Sequence, residues 1–340
     1  QLQDGRRARR SRRSELVGHR RPRHWPNLLA LRLPDADAAA REDEAREAGI
    51  ALLSLSLDGH VAVITGAASG IGLSMAHRFA GKGMRLALAD VEPAALANAA
   101  KALRETGAEV LEIVTDVSDA AQMDTLASRV RDEMGPAHVV CLNAGVSGGG
   151  GPLETLTTED WSWGIGVNLW GVIHGLRVFL AEMKERDAGH VVITSSIAGL
   201  ISSPQAGPYH ATKHAVASLA EVLFRELHEA GSKVTSHCLC PGLVSTNFPS
   251  GDRNRPDGLQ NPGADAIPAE AIAAIHKAVQ EIFDRGTTSD HVADCVLAAL
   301  EDNRFWIYTD EVHPAAIAAR HRAIEDASPP PTSFGALDGY

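Results

Sequence analysis

Residues 60–66, HVAVITG, form a compact β-branched run that ends in a glycine-rich turn and passes directly into a helical pattern. That junction constrains the fold more than any other part of the chain. A strand that feeds a helix through so short a turn opens a β–α–β crossover, and the same alternation continues along the sequence. Apolar runs read as strands at 60–66, 85–90, 110–115, 138–144, 190–195, 233–239 and 305–309. Helical periodicity covers about 70–82, 93–106, 119–134, 158–186, 208–230, 266–284 and 289–302. Strands separated by helices of this length are not hairpin neighbours. They pair in parallel, with helices covering both faces. The expected class is α/β, a single doubly wound domain with a seven-stranded, mostly parallel sheet.

The turn itself reads Thr65-Gly66-Ala67-Ala68-Ser69-Gly70-Ile71-Gly72. At such a turn a pyrophosphate reaches the backbone N–H groups of a helix N-terminus, and any Cβ there would hold it off. Gly66 permits the turn, while Gly70 and Gly72 allow close approach and tight helix–strand packing. The spacing, Gly-x-x-x-Gly-x-Gly, differs from the commonest dinucleotide fingerprint. Its place between first strand and first helix makes it a Rossmann-type cofactor turn, with Ser69 and Ile71 beside the phosphates. The second strand ends at Asp90, 18 residues beyond Gly72. A carboxylate there accepts the adenosine ribose hydroxyls and repels a 2′-phosphate. No lysine or arginine follows in Val91-Glu92-Pro93, so NAD is expected over NADP.

Tyr209 and Lys213 are spaced i, i+4 in PYHATKHAVASLAEVLFREL, on one face of a helix. A neighbouring ammonium favours the phenolate, which brings a tyrosine toward useful acid/base chemistry near neutral pH. Ser196 follows the strand HVVITSS, and Asn143-Ala144-Gly145 closes the fourth strand at the same expected edge. Pro241-Gly242-Leu243-Val244-Ser245-Thr246 leaves the sixth strand there too, and Asn168 lies in the long helix between. Active sites of open α/β sheets collect at those carboxyl ends.

These motifs, in this order, resemble the short-chain dehydrogenase/reductase family in its compact single-domain branch, over residues 57 to about 310. The resemblance implies a tetrad of Asn168, Ser196, Tyr209 and Lys213. Asp116-Val117 matches the family's adenine-contacting pair, and Asn143-Ala144-Gly145 its Asn-Ala-Gly motif, with Leu142 where a further Asn is common. Val244 and Thr246 match positions at the nicotinamide carboxamide. Tyr209 would exchange the substrate proton, Ser196 would orient the oxygen, Lys213 would assist the phenol and bind ribose, and Asn168 would hold a water. The implied activity is hydride transfer between NAD(H) and a secondary alcohol or ketone, bulky by analogy: aryl, terpenoid or steroid-like. An NADP-dependent carbonyl reductase and a non-catalytic dinucleotide-binding module are the alternatives.

Substrate choice is expected in residues 147–156, 198–207 and a lid at about 246–270, a stretch rich in Pro, Gly and Asn. The glycine run 148–151 reads equally as a lid or a slack connection. Trp163, Val167, Trp170 and His174 make one helical stripe. The resemblance places a homodimer or homotetramer interface on helices 158–186 and 208–230. His210 and His214 stand i, i+4, yet no third ligand at suitable spacing accompanies them, and no metal is expected.

Residues 1–55 hold twelve arginines against eight acids, so within a net charge of −11 residues 56–340 carry −15. So acidic a body argues against a nucleic-acid groove. The arginine-rich segment is expected to be a disordered extension with one short polar helix at 36–48, residues 56–312 the domain, and 313–340 a terminal helix and tail. Cys141, Cys238, Cys240 and Cys295 form no Cys-x-x-Cys pair and fit free thiols in the cytoplasm. No uninterrupted apolar run reaches the roughly 18–20 residues of a membrane span.

Overall fold

A computed structural model of the chain describes residues 57–261, 269–310 and 313–332. The expected extension at 1–55, part of the lid and the last residues of the tail lie outside the described residues. Six strands come first: β1 Val61–Thr65, β2 Arg85–Asp90, β3 Val110–Val114, β4 Ala137–Leu142, β5 Gly189–Thr194 and β6 Val234–Cys240. With β9, Trp306–Tyr308, they form one seven-stranded sheet in the order β3-β2-β1-β4-β5-β6-β9. Every pairing in it is parallel, rather than mostly so. Two short strands absent from the sequence reading, β7 Val244–Ser245 and β8 Thr287–Thr288, pair separately.

The helices are α1 Gly70–Gly81, α2 Pro93–Glu105, α3 Ala120–Met134, α4 Thr158–Arg186, α5 Gly207–Glu229, α6 Ala269–Phe283, α7 Ser289–Glu301 and α8 His313–Glu325. Alternate residues of each strand serve opposite faces, as the pleat requires. In β1, Val61 and Val63 join a core with Met123 and Val130 of α3, Phe179 and Met183 of α4, and Val216 and Leu223 of α5. Ala62 and Ile64 face the other core, with Met75 and Phe79 of α1, Leu96 and Leu103 of α2, and Val292 and Val296 of α7. The result is three layers, the sheet buried between two layers of helices.

Chain order reverses between β1 and β4, and the crevice outside the carboxyl ends of those two strands is where an open α/β sheet binds its ligand. Asn143 staples this point. Its Nδ2 donates to Thr65 O at 3.0 Å, its N donates to Thr65 Oγ1 at 2.9 Å, and its Oδ1 accepts from Thr194 Oγ1 at 3.2 Å. Three strand ends are thereby held in register around the crevice.

Helix α4 departs from the uninterrupted helix expected over 158–186. Ile165–Trp170 is a π segment, with Gly171 N–H bonded to Gly166 O. Such bulges concentrate at functional sites because they re-aim one side chain; here that side chain is Asn168. By length and composition α4 is also apolar enough to cross a membrane, its best 18-residue window having a mean hydropathy of 1.3. Glycines, Asn168 and His174 break up its apolar residues, which hides the window from a search for an unbroken run. In the fold, Val172, Phe179 and Met183 of this helix are buried against the sheet.

Candidate active site

A cavity of about 740 Å³ opens at the switch point. The glycine turn, the ends of β2, β4, β5 and β6, the start of α5 and the segment after Thr246 all line it. Of the residues singled out from sequence, Gly66, Ser69, Gly70, Ile71, Asp90, Asp116, Val117, Asn143, Ala144, Gly145, Ser196, Tyr209, Lys213, Pro241, Gly242, Val244 and Thr246 border this one space. Gly72 and Asn168 stand behind the wall.

At one end, the first turn of α1 faces the cavity without a side-chain cap, since Ser69 makes no capping hydrogen bond. Free N–H groups at a helix N-terminus suit an anionic pyrophosphate. A Cβ on Gly72 would lie 2.1 Å from Gly66 O, so only glycine lets the helix sit this close to the turn. Asp90 is involved twice over. Its Oδ2 accepts from Ala68 N at 2.9 Å and its Oδ1 from Glu92 N at 3.0 Å, so it closes the glycine turn while still bordering the cavity. Burial raises its carboxyl above the usual range against these two bonds. Asp116 shapes its own turn by accepting from Ser118 N and Oγ at 2.9 and 2.7 Å.

At the other end, Ser196 and Tyr209 border the cavity together. The Ser196 hydroxyl donates to Pro241 O at 3.3 Å and accepts from Ala198 N at 3.1 Å. Lys213 Nζ donates to Thr194 O at 2.9 Å and lies 5.6 Å from the Tyr209 ring centroid. Burial lowers the Lys213 ammonium to about 8 and raises the Tyr209 phenol. The Ser196 side chain acts against that rise in the phenol. The ammonium lies over the ring and bonds to a β5 carbonyl.

Asn168 is 1% exposed. Its Oδ1 accepts from Val146 N at 2.8 Å, and its Nδ2 donates to Val146 O at 2.9 Å and Thr212 Oγ1 at 3.1 Å. With both Nδ2 donors engaged, the side chain joins β4's exit to α5 and does not present a water-holding donor. A Cβ at Gly145 would lie 3.3 Å from Lys213 Nζ and 3.5 Å from Asn168 Oδ1, so the bulge sets the wall behind the lysine.

The region expected as a lid has a built core. Arg255 Nη1 pairs with Asp160 Oδ1 at 2.8 Å, with side chains 7% and 4% exposed, and its guanidinium lies over the Trp163 ring at 5.4 Å. Asn261 Nδ2 donates to Asp160 Oδ1 at 3.0 Å, so both Arg255 and Asn261 are tied to the start of α4. Asp160 also completes a capping box with Thr157 there. The glycine run is neither slack nor free. Gly148 and Gly149 have φ of 72° and 89°, and a Cβ on Gly149 would lie 2.6 Å from Asp160 Oδ1.

His210 anchors the 198–203 loop, with Nε2 3.1 Å from Ser203 N and Nδ1 2.8 Å from Ala198 O, while His214 Nδ1 lies 2.9 Å from His210 O. Among the described residues, no group of three or more His, Cys, Asp or Glu is arranged to hold a metal. Arg253, Arg255 and Asp160 escape a sequence reading, because Arg253 pairs with Glu92 and Arg255 with Asp160 far along the chain. The Thr157-x-x-Asp160 pattern before an apolar run is the one local signal available.

Residues 60–256 match the family model described as short chain dehydrogenase. The chain belongs to the short-chain dehydrogenase family. A short chain dehydrogenase/reductase from Burkholderia phymatum, crystallised in complex with NAD, matches this dehydrogenase with a TM-score of 0.77. Identity is 41%, and the match covers 82% of this chain and 98% of that one. A CLA biosynthesis dehydrogenase/reductase of Lactiplantibacillus plantarum is 31% identical over 271 residues, 79% of this chain and 94% of the relative. An alcohol dehydrogenase from the archaeon Thermococcus sibiricus, complexed with 5-hydroxy-NADP, matches with a TM-score of 0.59 at 29% identity, over 73% and 94% of the two chains. This dehydrogenase is therefore an oxidoreductase acting on alcohols that takes a nicotinamide dinucleotide and a small-molecule substrate.

Proposed function

We propose that the protein transfers hydride between NAD(H) and a bulky secondary alcohol or its ketone, with Tyr209 as the acid/base. The observation that carries this reading is Lys213 Nζ held 5.6 Å from the Tyr209 ring centroid with Ser196 on the same wall, at one end of a cavity whose other end is an uncapped helix and Asp90. When bound, the dinucleotide supplies the nicotinamide that takes or gives hydride. Tyr209 Oη removes the alcohol proton, or returns it in the direction of reduction. Ser196 Oγ hydrogen-bonds the substrate oxygen as charge develops on it. Lys213 presents a cation beneath the ring, and Asn168 acts as a positioning residue through Val146 and Thr212. Gly66, Ser69, Gly70 and Ile71 bind the pyrophosphate, and Asp116-Val117 the adenine. Asn143-Ala144-Gly145, Pro241-Gly242, Val244 and Thr246 line the ring end. The substrate end is walled by Trp163, Ile201, Phe248, Leu259 and Phe283, which suits a large apolar body.

A screen that follows nicotinamide absorbance, with NAD and NADP supplied separately against aryl, terpenoid and steroid alcohols, should show turnover with NAD. Cofactor binding without turnover on any secondary alcohol would point to the non-catalytic module. Asp90→Ser should weaken NAD binding about ten-fold through lost charge-assisted hydrogen bonds to ribose, with NADP affected less. Isothermal titration of the two cofactors reads both changes, and an unchanged NAD affinity would remove Asp90 from the ribose site. Exposed Trp170 on α4 and exposed Val222 and Phe224 on α5 support a homodimer or homotetramer through these helices. Cys141, Cys238, Cys240 and Cys295 are all free, which is in keeping with a cytoplasmic setting.

A further inference from the structure

Glu92 lies two residues beyond Asp90, and no cation is near it in sequence. The fold supplies one. Arg253 Nη2 donates to Glu92 Oε1 at 2.6 Å and its Nε to Oε2 at 3.3 Å, a guanidinium fork on a carboxylate. Asn254 Nδ2 donates to the same Oε1 at 2.8 Å. Asp90, Glu92, Arg253 and Asn254 all border the cavity at its adenosine end. The arginine is also fixed from behind, because its Nη1 donates to Ser250 O at 2.8 Å. Its position therefore does not depend on Glu92 alone. Glu92 is the N-cap residue of α2 but makes no capping bond, and its carboxylate is committed to the arginine instead.

We propose that Glu92 masks Arg253, so that the cofactor choice is set by this pair as well as by Asp90. This inference rests on the reading of NAD as the cofactor. A 2′-phosphate is recognised by a free guanidinium fork, and here the fork is already filled by a competing carboxylate. With Glu92 present, the adenosine end offers two carboxylates and one neutralised cation, an environment for hydroxyls. Without Glu92, a backbone-anchored arginine faces the same space and one carboxylate remains instead of two. The pair is partly exposed, at 39% and 28% of its side chains, so removing the carboxylate leaves no buried charge behind.

Isothermal titration of NAD+ and NADP+ against the full chain, Glu92→Ala and Glu92→Ala/Arg253→Ala tests this directly. Thermal melts serve as the folding control. Wild type should bind NAD+ more tightly. Glu92→Ala should gain about ten-fold or more in NADP+ affinity, with NAD+ changed by less than about three-fold, and the double variant should lose the gain. No gain in Glu92→Ala, or a gain that survives in the double variant, overturns the masking role. A wild type that prefers NADP+ overturns the reading of Asp90 on which the inference stands.

Discussion

Replacing Tyr209 by phenylalanine should lower kcat about 10³-fold while dinucleotide affinity and melting temperature stay close to wild type. The substitution removes one oxygen and keeps the ring, so the packing on Phe248, whose ring centroid lies 5.4 Å away, is retained. Ser196 keeps Pro241 O and Ala198 N, and Lys213 keeps Thr194 O. No buried charge is orphaned. The loss should therefore fall on kcat, where a proton must move, and little on KM. Steady-state kinetics with titration of the cofactor separate the two. Residual turnover within ten-fold of wild type would remove Tyr209 from its role as acid/base.

Lowering the pH from 7 to 5 should destabilise the domain by about 4 kcal/mol, well before the carboxylates with depressed pKa values begin to protonate. The cause lies toward the amino ends of the strands, away from the cavity. His190 Nδ1 and His237 Nε2 are 3.3 Å apart, Thr235 Oγ1 lies 2.7 and 2.8 Å from them, and His237 Nδ1 lies 2.6 Å from Arg304 O. Burial lowers His190 to about 3 and His237 to about 4, and the His237 ring further opposes charge on His190. In the unfolded chain both titrate near 6.5. Between that value and the folded values the unfolded state binds more protons, so stability falls as pH falls. It is intact above 6.5 and fully lost below about 3. His138, lowered to about 4 and stacked on His60 at 4.1 Å, adds to the trend. A loss of about 4 kcal/mol is a large part of the 5–15 kcal/mol available to a domain. Urea titrations at pH 7 and 5 measure the difference. Glutamine at both 190 and 237 should flatten it, and a slope unchanged in that double variant would place the acid sensitivity elsewhere.

The layered architecture was legible in the sequence because its signals are local. The β-branched runs, the helical periods between them and the Gly66–Gly72 turn are short-range patterns, and the helix ends expected from them agree with the fold to within a few residues. Tyr209 and Lys213 announced each other across one helical turn. Ser196, Asn143 and Thr246 were located by where strands end. Asn168 was placed on α4, but not its π segment, since a bulge depends on what the side chain finds across the fold. That partner is the Val146 backbone, 22 residues away.

The strap over the cavity was not legible for a related reason. Arg255 meets Asp160 from 95 residues away and Arg253 meets Glu92 from 161 away, and no periodicity links such pairs. The sequence read 246–270 as featureless because the order around Arg255 comes from a buried ion pair and Trp163, not from local propensities. Similarly, Val91-Glu92-Pro93 looked free of cations until the chain folded Arg253 beside it. Backbone hydrogen bonding and pleat or helix period are properties of neighbouring residues, so composition and order dictate the α/β sheet, the glycine turn and the Tyr209/Lys213 face. Charge pairing, burial and the resulting pKa shifts depend on distance through space. They were decided only when the sheet brought remote segments to one edge.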